Sequence, residues 1–359
     1  MTSALAAAYA HGPGKQIQVG PPPPWRAVVG PLCPLPRGSA LARLILDVLT
    51  PSRWEPWNQY NDHRAYPSPR ASYLVDVEIV VAGQRWPVEP VRRATVGAHP
   101  PPMDRPVRLD FKRRPERLSR GYGEFAHALT ELEVGHLSAA LVEHAERLGL
   151  VAIADANGVS VSGSGGRSAV LPHRSSGVGP RGLSADPRQL PGNSLAAFAG
   201  GVRDLPAGLL NHAGLRHTLA VRNVEGCQDG WYTVDPFQLT EPAAAMDILQ
   251  DLHGHPPAVL DVSGMNLALI TTADVGAAVA AEGEDAYHAL LRAAGSVAQR
   301  VCVKSAEAGM FCRPLRSFDD PALEAAVGSP VSHSLLYVLL AGRPRVTGFS
   351  YDLTPLETP

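Results

Sequence analysis

The pattern of hydrophobic and polar residues predicts a chain of mixed strands and helices. Short apolar runs rich in β-branched residues, bounded by Gly or Pro, are typical of strands. By this criterion, strands are predicted at Leu74–Val81, Thr218–Val224, Ala258–Val262, Leu267–Thr271 and Leu335–Leu340. Helices are predicted at Ala40–Leu49, at Ser194–Gly200 and over two long segments that begin near Tyr122 and Glu282. The first long segment carries an apolar stripe with polar residues between its members, namely Leu132, Leu137, Leu141 and Leu148.

The two long helices carry an internal repeat. Five identities fall at one offset of 160 residues: Gly123/Gly283, Glu124/Glu284, Ala126/Ala286, Gly135/Gly295 and Gly149/Gly309. A predicted helix and strand precede each long helix, and a Gly follows it, as at many helix ends. We therefore predict two copies of one α+β unit; the alternative is a chance similarity of two Ala-rich helices.

The predicted domain boundaries follow from this repeat. The first unit covers residues 33–165 and the second covers 166–345, with the Gly/Ser-rich stretch Ser160–Gly166 as the seam. Residues 1–32 contain the run Pro21–Pro24 and are predicted to form a Pro-rich, extended arm. Residues 346–359 form a C-terminal tail, with a candidate strand at Thr347–Tyr351.

Composition excludes several classes of function. The 359 residues carry a formal net charge of -2, which argues against nucleic-acid binding driven by bulk charge. No run of 18 apolar residues and no secretory signal is visible, so we predict no membrane association. The four cysteines are widely spaced without a CxxC, which argues against a disulfide framework or a metal site and favours the cytoplasm. Two of them, Cys302 and Cys312, are predicted to be buried thiols.

A series of short motifs in the second half points to a known family. In order they are Arg174-Ser175-Ser176, Leu183-Ser184, Leu215–His217, Val221–Gly226, Gly230–Tyr232, Ala294–Gln299, Phe318–Asp320 and Gly342-Arg343-Pro344. The first half contributes Tyr66–Ala71, Tyr122–Glu124 and Gly135-His136. Over most of residues 40–345, this order resembles the SagB-type dehydrogenases of the nitroreductase superfamily. These are FMN enzymes, many of which oxidise thiazolines and oxazolines in modified peptides.

The resemblance implies a fold and a place for the cofactor. The fold is a mainly antiparallel sheet flanked by helices, and the usual member is a homodimer whose two subunits both line each FMN. In this chain, two nitroreductase-like units would be fused into an intramolecular pseudodimer. The second half keeps the flavin-binding Arg-Ser and Gly-Arg-Pro motifs, whereas the first half keeps the Pro-Ser loop. Asn211–Gly214 stands where a second Pro-Ser loop would be. The resemblance therefore implies one complete site and one FMN per chain.

Seven residues are the candidates for holding FMN. Arginine offers a phosphate permanently charged, bidentate donors, and Arg174 and Arg343 are the candidates for that role. The other candidates are Ser175 and Ser176, as short hydroxyl donors, and Pro67, Ser68 and Arg70, from the Pro-Ser loop. Ser68, between two prolines, is a rigid position suited to a hydrogen bond with the edge of the flavin ring. Arg70 stands where the family has Gly, and it could place positive charge near the flavin.

The catalytic candidates are Tyr122, Arg120 and His136. Aromatising an azoline removes a hydride from one carbon and a proton from its neighbour, so a group that handles the proton is needed. The family's azoline dehydrogenases use a Lys-Tyr pair before the long helix. Tyr122 stands at the Tyr position, but Gly121 replaces the Lys, which leaves Arg120 or Lys112 as the nearby charge. His136 matches the Gly-His of the family.

These observations favour an FMN-dependent dehydrogenase or oxidase that acts on a peptide or natural-product intermediate, with azoline-to-azole oxidation as the first hypothesis. The alternatives are another flavin-dependent desaturation of a small natural product and a non-catalytic scaffold subunit of a peptide-modifying complex. A cyclodehydratase or another biosynthetic protein is a candidate partner. The basic stretch 104–120 is either a solvated loop or a surface that grips an acidic peptide or protein.

Overall fold

A computed structural model describes seven parts of the chain, residues 30–36, 38–55, 63–166, 172–177, 183–203, 214–345 and 351–353. The chain divides into two compact units. The N-terminal unit comprises the described residues 30–166 and 351–353, and the C-terminal unit comprises those of 172–345. The arm before residue 30, Asn211–Ala213 and the tail at 346–350 lie outside the described residues.

The described part of the N-terminal unit contains a seven-stranded antiparallel sheet, a two-stranded antiparallel pair and three α-helices. Its elements are β1 (Leu32–Pro34), α1 (Ala40–Leu49), β2 (Arg53–Trp54), β3 (Val75–Val81), β4 (Gln84–Glu89), β5 (Ala94–Val96), β6 (Val107–Arg113), α2 (Glu116–Tyr122), α3 (Phe125–Arg147), β7 (Val151–Asp155) and β8 (Gly158–Ser162). Seven strands form the sheet in the order β1-β5-β4-β3-β6-β8-β7. The short β2 pairs elsewhere, with Tyr351–Asp352.

The core of the N-terminal unit lies between this sheet and two of the helices. The Ser39 hydroxyl accepts from the Ala42 N–H and so begins α1. From there, α1 buries a stripe at helical spacing that includes Leu41, Leu44 and Val48. In contrast, α3 is buried on every side from Ala128 to Val142, and polar positions such as His144 are buried as well. The predicted leucine stripe is buried, but the helix is central rather than amphipathic.

The C-terminal unit contains a second antiparallel sheet and five helices. Its elements are α4 (Gly192–Arg203), β9 (Leu215–Val221), β10 (Gly230–Thr233), β11 (Gln238–Pro242), α5 (Ala245–Asp251), β12 (Leu267–Ala273), α6 (Val275–Glu282), α7 (Asp285–Glu307), β13 (Phe311–Leu315), α8 (Asp320–Ala326) and β14 (Ser334–Gly342). Six strands form the sheet in the order β11-β10-β9-β12-β14-β13. The central β12 is buried along its whole length.

The two sheets share one strand order. Without β1, the N-terminal sheet reads β5-β4-β3-β6-β8-β7, which matches β11-β10-β9-β12-β14-β13 strand for strand in chain order. The central strands β6 and β12 begin at residues 107 and 267, the long helices α3 and α7 at 125 and 285, and the strands β7 and β13 at 151 and 311. Each pair has equal length and the same offset of 160 residues that the sequence identities show.

Most of the predicted elements are confirmed. Helix α1 has the predicted bounds, and the two long helices and four of the five predicted strands are present within a few residues. Cys302 and Cys312 are buried thiols, as predicted. The mainly antiparallel α+β architecture is confirmed as well.

Three local predictions were wrong. Residues 258–262 form turns after Pro256, whose carbonyl accepts from the Val259 and Leu260 N–H groups. Only a bridge from Leu260 to Leu183 remains of the predicted strand. The stretch 104–120 is not a loop, because it contains β6 and most of α2. Ser160–Ser162, predicted as linker, is the end of β8.

Candidate functional site

The loop Pro67–Ala71 of the N-terminal unit, called here the Ser68 loop, has an unusual backbone. It forms a single 3-10 turn at Pro69–Ala71. Arg70, Ala71 and Tyr73 have φ values of 51°, 50° and 45°, in the left-handed region that non-glycine residues rarely adopt. A glycine would adopt this conformation without steric cost, whereas Arg70 does not. Such a backbone persists only where its surroundings hold it, which makes this loop a candidate functional segment.

Side chains hold the Ser68 loop from below. The Ser68 hydroxyl donates to Glu133 Oε2 over a distance of 2.6 Å. Ser68 Oγ also accepts a hydrogen bond from the Tyr73 N–H at 2.7 Å. Tyr73 Oη in turn accepts from the Arg64 N–H at 3.0 Å. Pro67 is buried, and Tyr66 is completely buried and packs edge-on against Tyr73. In this arrangement the Ser68 hydroxyl is directed at Glu133.

Glu133 is a functional candidate that the sequence prediction missed. It lies on α3 and is 1% exposed. Burial raises the pKa of its carboxyl to about 7, although Ser68, Arg64, the Leu74 N–H and Arg117 all favour the charged form. A carboxyl with a pKa near neutrality inside a protein is typical of functional sites. Its position beside Glu131 on a helix gave no sign that it is buried.

Tyr122 and Arg70 form a pair beside this loop. Tyr122 is the last residue of α2, and its hydroxyl oxygen accepts from Arg70 Nε at 2.9 Å. The Arg70 guanidinium carbon lies 5.8 Å from the centre of the Tyr122 ring. Arg120, on the same short helix, is exposed. The structure therefore brings a cation to Tyr122 from the Ser68 loop rather than from its neighbours in sequence.

His136 lies deeper than the other catalytic candidates. It follows Glu133 by three residues on α3, and so shares that side of the helix, and it is 1% exposed. Glu131 on the same helix is paired with Arg113, whose Nε lies 2.5 Å from Oε1. These positions place several buried polar groups on α3.

In the C-terminal unit, the Arg-Ser-Ser segment (residues 174–176) runs along the outer edge of β13. The Ser175 carbonyl accepts from the Cys312 N–H at 2.8 Å, and the Ser176 carbonyl accepts from Arg313 at 3.3 Å. Arg174 is 5% exposed and donates to the Ser176 hydroxyl at 3.3 Å. Since β14 pairs with the other edge of β13, one strand separates this segment from Gly342-Arg343.

Arg343 lines the candidate anion pocket of the C-terminal unit. The pocket has a volume of about 430 Å³ and is lined by Leu190, Pro191, Asn193, Ser194, Ala197, Glu307, Ala308, Gly309, Met310 and Arg343. We call it the Arg343 pocket. One wall is the first turns of α4 and another is the end of α7. The guanidinium donates to the Gln189 carbonyl at 3.4 Å. Glu307, the acidic residue of the lining, pairs with Lys304 at 2.8 Å. A helix N-terminus and an arginine in one pocket suit an anionic group.

The basic stretch 104–120 is bound up in ion pairs. Arg108 pairs with Asp110 and Asp155, each at 2.7 Å, and Arg108 lowers the pKa of Asp155. Arg114 and Arg117 both pair with Asp76, at 2.9 and 2.6 Å. Lys112 and Arg113 pair with Glu78 and Glu131. Much of the positive charge of this stretch is thus neutralised by carboxylates of the same unit, which does not favour binding of an acidic partner over a broad surface.

Two other kinds of site were searched in the described part of the chain. Among these residues, no group of three or more His, Cys, Asp or Glu is placed to hold a metal ion. None of the helices described has the length and hydrophobicity that a bilayer crossing requires.

Comparison with solved structures identifies the fold. A protein from Anabaena variabilis described as a nitroreductase superposes with a TM-score of 0.75 and 13% identity, covering 95% of this chain and 99% of that chain. The E. coli microcin synthetase McbBCD complex with truncated pro-MccB17 bound (13% identity) matches 50% of this chain and 79% of that chain, with a TM-score of 0.39. A Ralstonia eutropha protein described as a nitroreductase (20% identity) matches 48% and 80%, with a TM-score of 0.37.

The first match covers both units and shows that the chain has the nitroreductase fold. With TM-scores below 0.5, the other two add nothing to that assignment. No protein-family model and no curated protein matches the sequence. A fold by itself does not fix the chemistry that its sites perform.

Proposed function

We propose that this chain is an FMN-dependent oxidoreductase of the SagB type. Its favoured reaction is the oxidation of an azoline to an azole in a peptide or natural-product intermediate, with dioxygen as the final electron acceptor. One observation carries the proposal: on a nitroreductase fold, Arg343 and the first turns of the twelve-residue helix α4 line one pocket of about 430 Å³. Guanidinium donors and helix N-terminal N–H groups are the groups that bind a phosphate monoester.

The Arg-Ser-Ser segment extends the set of phosphate donors. Arg174 supplies a second guanidinium, and the Ser175 hydroxyl accepts from the Gly177 N–H at 3.1 Å, which leaves its own proton to be donated. Ser176 is already an acceptor for Arg174. These residue types fit the phosphate end of FMN, and we propose that they and Arg343 hold it.

The resemblance assigns the ring end of FMN to the Ser68 loop. We propose that Pro67, Ser68 and Arg70 contribute the shape and backbone groups of that loop, since the Ser68 proton is engaged with Glu133. When bound, FMN would supply the acceptor for the hydride. The protein's own task is then to orient the substrate and to manage the proton that leaves the neighbouring carbon.

Tyr122 is the proposed group for that proton. Its Oη lies 2.9 Å from Arg70 Nε, so the guanidinium faces the negative charge that this oxygen carries when it has no proton. An arginine does not itself act as a base at neutral pH, so Arg70 and Arg120 are proposed to act through their charge. Arg70 thereby supplies the positive charge that Gly121 does not.

The visible absorption spectrum of the purified protein tests the proposal, together with the amount of FMN that heat releases per chain. We expect a yellow protein with one FMN per chain. Two FMN per chain would contradict the assignment of a single complete site. A colourless protein that does not take up added FMN would contradict the enzyme function and favour a scaffold subunit.

Variants test the phosphate assignment. Arg343→Ala and Arg174→Ala are each expected to release FMN, because each removes a permanent charge from the phosphate. Arg105→Ala is the matched control, since Arg105 is exposed and pairs only weakly with Asp104, at 3.4 Å. FMN retention equal to that of Arg105→Ala would refute the assignment of Arg174 or Arg343.

A further inference from the structure

The Ser68 loop is attached to the interior of the N-terminal unit through one carboxyl group. Glu133 Oε2 accepts a hydrogen bond from the Ser68 hydroxyl over 2.6 Å, and Ser68 Oγ accepts one from the Tyr73 N–H at 2.7 Å. Around these contacts, Arg70 and Ala71 of the loop, and Tyr73 two residues after it, have φ values in the left-handed region. The strained backbone must be held in place by its surroundings. The two hydrogen bonds that link Tyr73 to Ser68 and Ser68 to Glu133 hold it.

We propose that Glu133 is a positioning residue, which clamps the Ser68 loop through Ser68 while it holds a proton and loosens the loop when the proton leaves. The clamp lies within the N-terminal unit, and its evidence is the two hydrogen bonds of Ser68 described above. Only its consequence for catalysis, that a loosened loop presents the flavin ring and Tyr122 less well, rests on the function proposed above.

The groups that face Glu133 come from two elements besides its own helix. The segment before β3 contributes Arg64, Tyr66 and Tyr73, and α2 contributes Arg117. Arg64 is 5% exposed, and its guanidinium stacks 3.7 Å above the Tyr73 ring. The Ser68 hydrogen bond, the two cations and the Leu74 N–H favour ionised Glu133, but burial opposes ionisation more strongly. Glu133 therefore binds its proton more tightly in the closed structure than a solvent-exposed carboxyl does.

Linkage fixes the direction of the effect. The pKa of Glu133 is about 7 in the closed structure and about 4.5 for an exposed carboxyl. Opening that exposes Glu133 therefore releases a proton between these two values. The equilibrium for opening should rise by up to roughly tenfold per pH unit between about pH 5 and pH 7 and level off above that range.

Hydrogen exchange of the full chain tests this directly. The Tyr73 amide, which donates to Ser68 Oγ, reports the clamp, and its protection factor is measured from pH 5 to 8 after correction for the intrinsic exchange rate. We expect protection to fall several-fold per pH unit up to about pH 7 in the wild type. In Glu133→Gln, which accepts the Ser68 hydrogen bond but cannot ionise, protection should not vary with pH.

Two further variants make the result specific. Glu131→Gln, on the same helix and 6% exposed but paired with Arg113, should keep the wild-type pH dependence even if it lowers stability. Ser68→Ala should lose the protection of Tyr73 at every pH. The clamp would be overturned if the protection factor of the Tyr73 amide did not change with pH in the wild type. It would also be overturned if that factor changed with pH equally in Glu133→Gln.

Parallel titrations with FMN separate the clamp from the proposed function. If the clamp and the flavin site are both right, FMN affinity falls between pH 5 and 7 in the wild type more than in Glu133→Gln. A pH-dependent Tyr73 in a protein that binds no FMN would refute the flavin function and support the clamp. FMN binding with a pH-independent Tyr73 would refute the clamp and leave the flavin function standing.

Discussion

The close approach of α4 to α7 makes Gly201→Ala the most informative stability test. A Cβ built on Gly201 would lie 2.8 Å from the Val301 Cα and 2.9 Å from the Val301 N. Carbon atoms pack best at about 3.5–4.0 Å, so the helices must separate by roughly 1 Å. Both obstructing atoms belong to the backbone, which cannot rotate away. Overpacking of this kind costs ~1–3 kcal/mol, whereas alanine's better helix propensity returns only ~1 kcal/mol.

Because both obstructing atoms are backbone, the upper part of that overpacking range applies, about 2–3 kcal/mol. We therefore expect Gly201→Ala to lower the free energy of unfolding by ~1–2 kcal/mol, measured by urea denaturation followed by circular dichroism. Gly276→Ala in α6 is the control, because its Cβ would meet nothing closer than Asp274 Oδ1 at 3.7 Å, and it should be neutral or stabilising. Adding Val301→Ala should not rescue Gly201→Ala, since the side chain is not the main obstacle. A Gly201→Ala protein as stable as the wild type would refute the reasoning.

Two further predictions concern protons. Burial lowers the pKa of His253 from 6.5 to about 4, so folding favours the neutral imidazole. The free energy of unfolding is therefore unaffected by this group above pH 6.5 and decreases as the pH falls towards 4, by at most ~3 kcal/mol. In His253→Gln the urea midpoints at pH 4.5 and pH 7 should lie closer together than in the wild type; an unchanged gap would contradict this. Tyr122→Phe should slow the oxidation of an azoline peptide by ~100-fold, without loss of bound FMN. Wild-type turnover in Tyr122→Phe would exclude the phenol from proton transfer.

Regular patterns in the sequence were sufficient for most of the fold. Helix α1 begins and ends where it was predicted; in the structure its apolar positions follow helical spacing and Ser39 caps it. The strand β6 was missed although Val107, Leu109 and Phe111 point inward between charged neighbours. That alternation is a strand signal. The positive charge of the stretch suggested a solvated loop instead, because the carboxylates that neutralise it, such as Glu78, are distant in sequence.

The candidate site was less predictable, for a physical reason. The resemblance proposed the Ser68 loop and both arginines as site residues, but local sequence does not show which helix faces are buried. Glu133 looks like any polar helix residue until α3 is seen to be enclosed on every side. The Arg70–Tyr122 contact joins residues 52 positions apart, and only the folded chain brings them together.

Although the two sheets share one strand order, their corresponding edge strands, β7 and β13, have different surroundings. In the C-terminal unit, the Ser175 carbonyl bonds to the outer strand β13. In the N-terminal unit, the corresponding outer strand β7 presents Val151 and Ile153, each 60% exposed. Exposed β-branched residues on an edge strand are a template for strand addition between copies of a protein, and a net charge of -2 gives little repulsion to oppose it. The five-residue strand β7 is therefore an edge at which we expect copies of this protein to associate at high concentration.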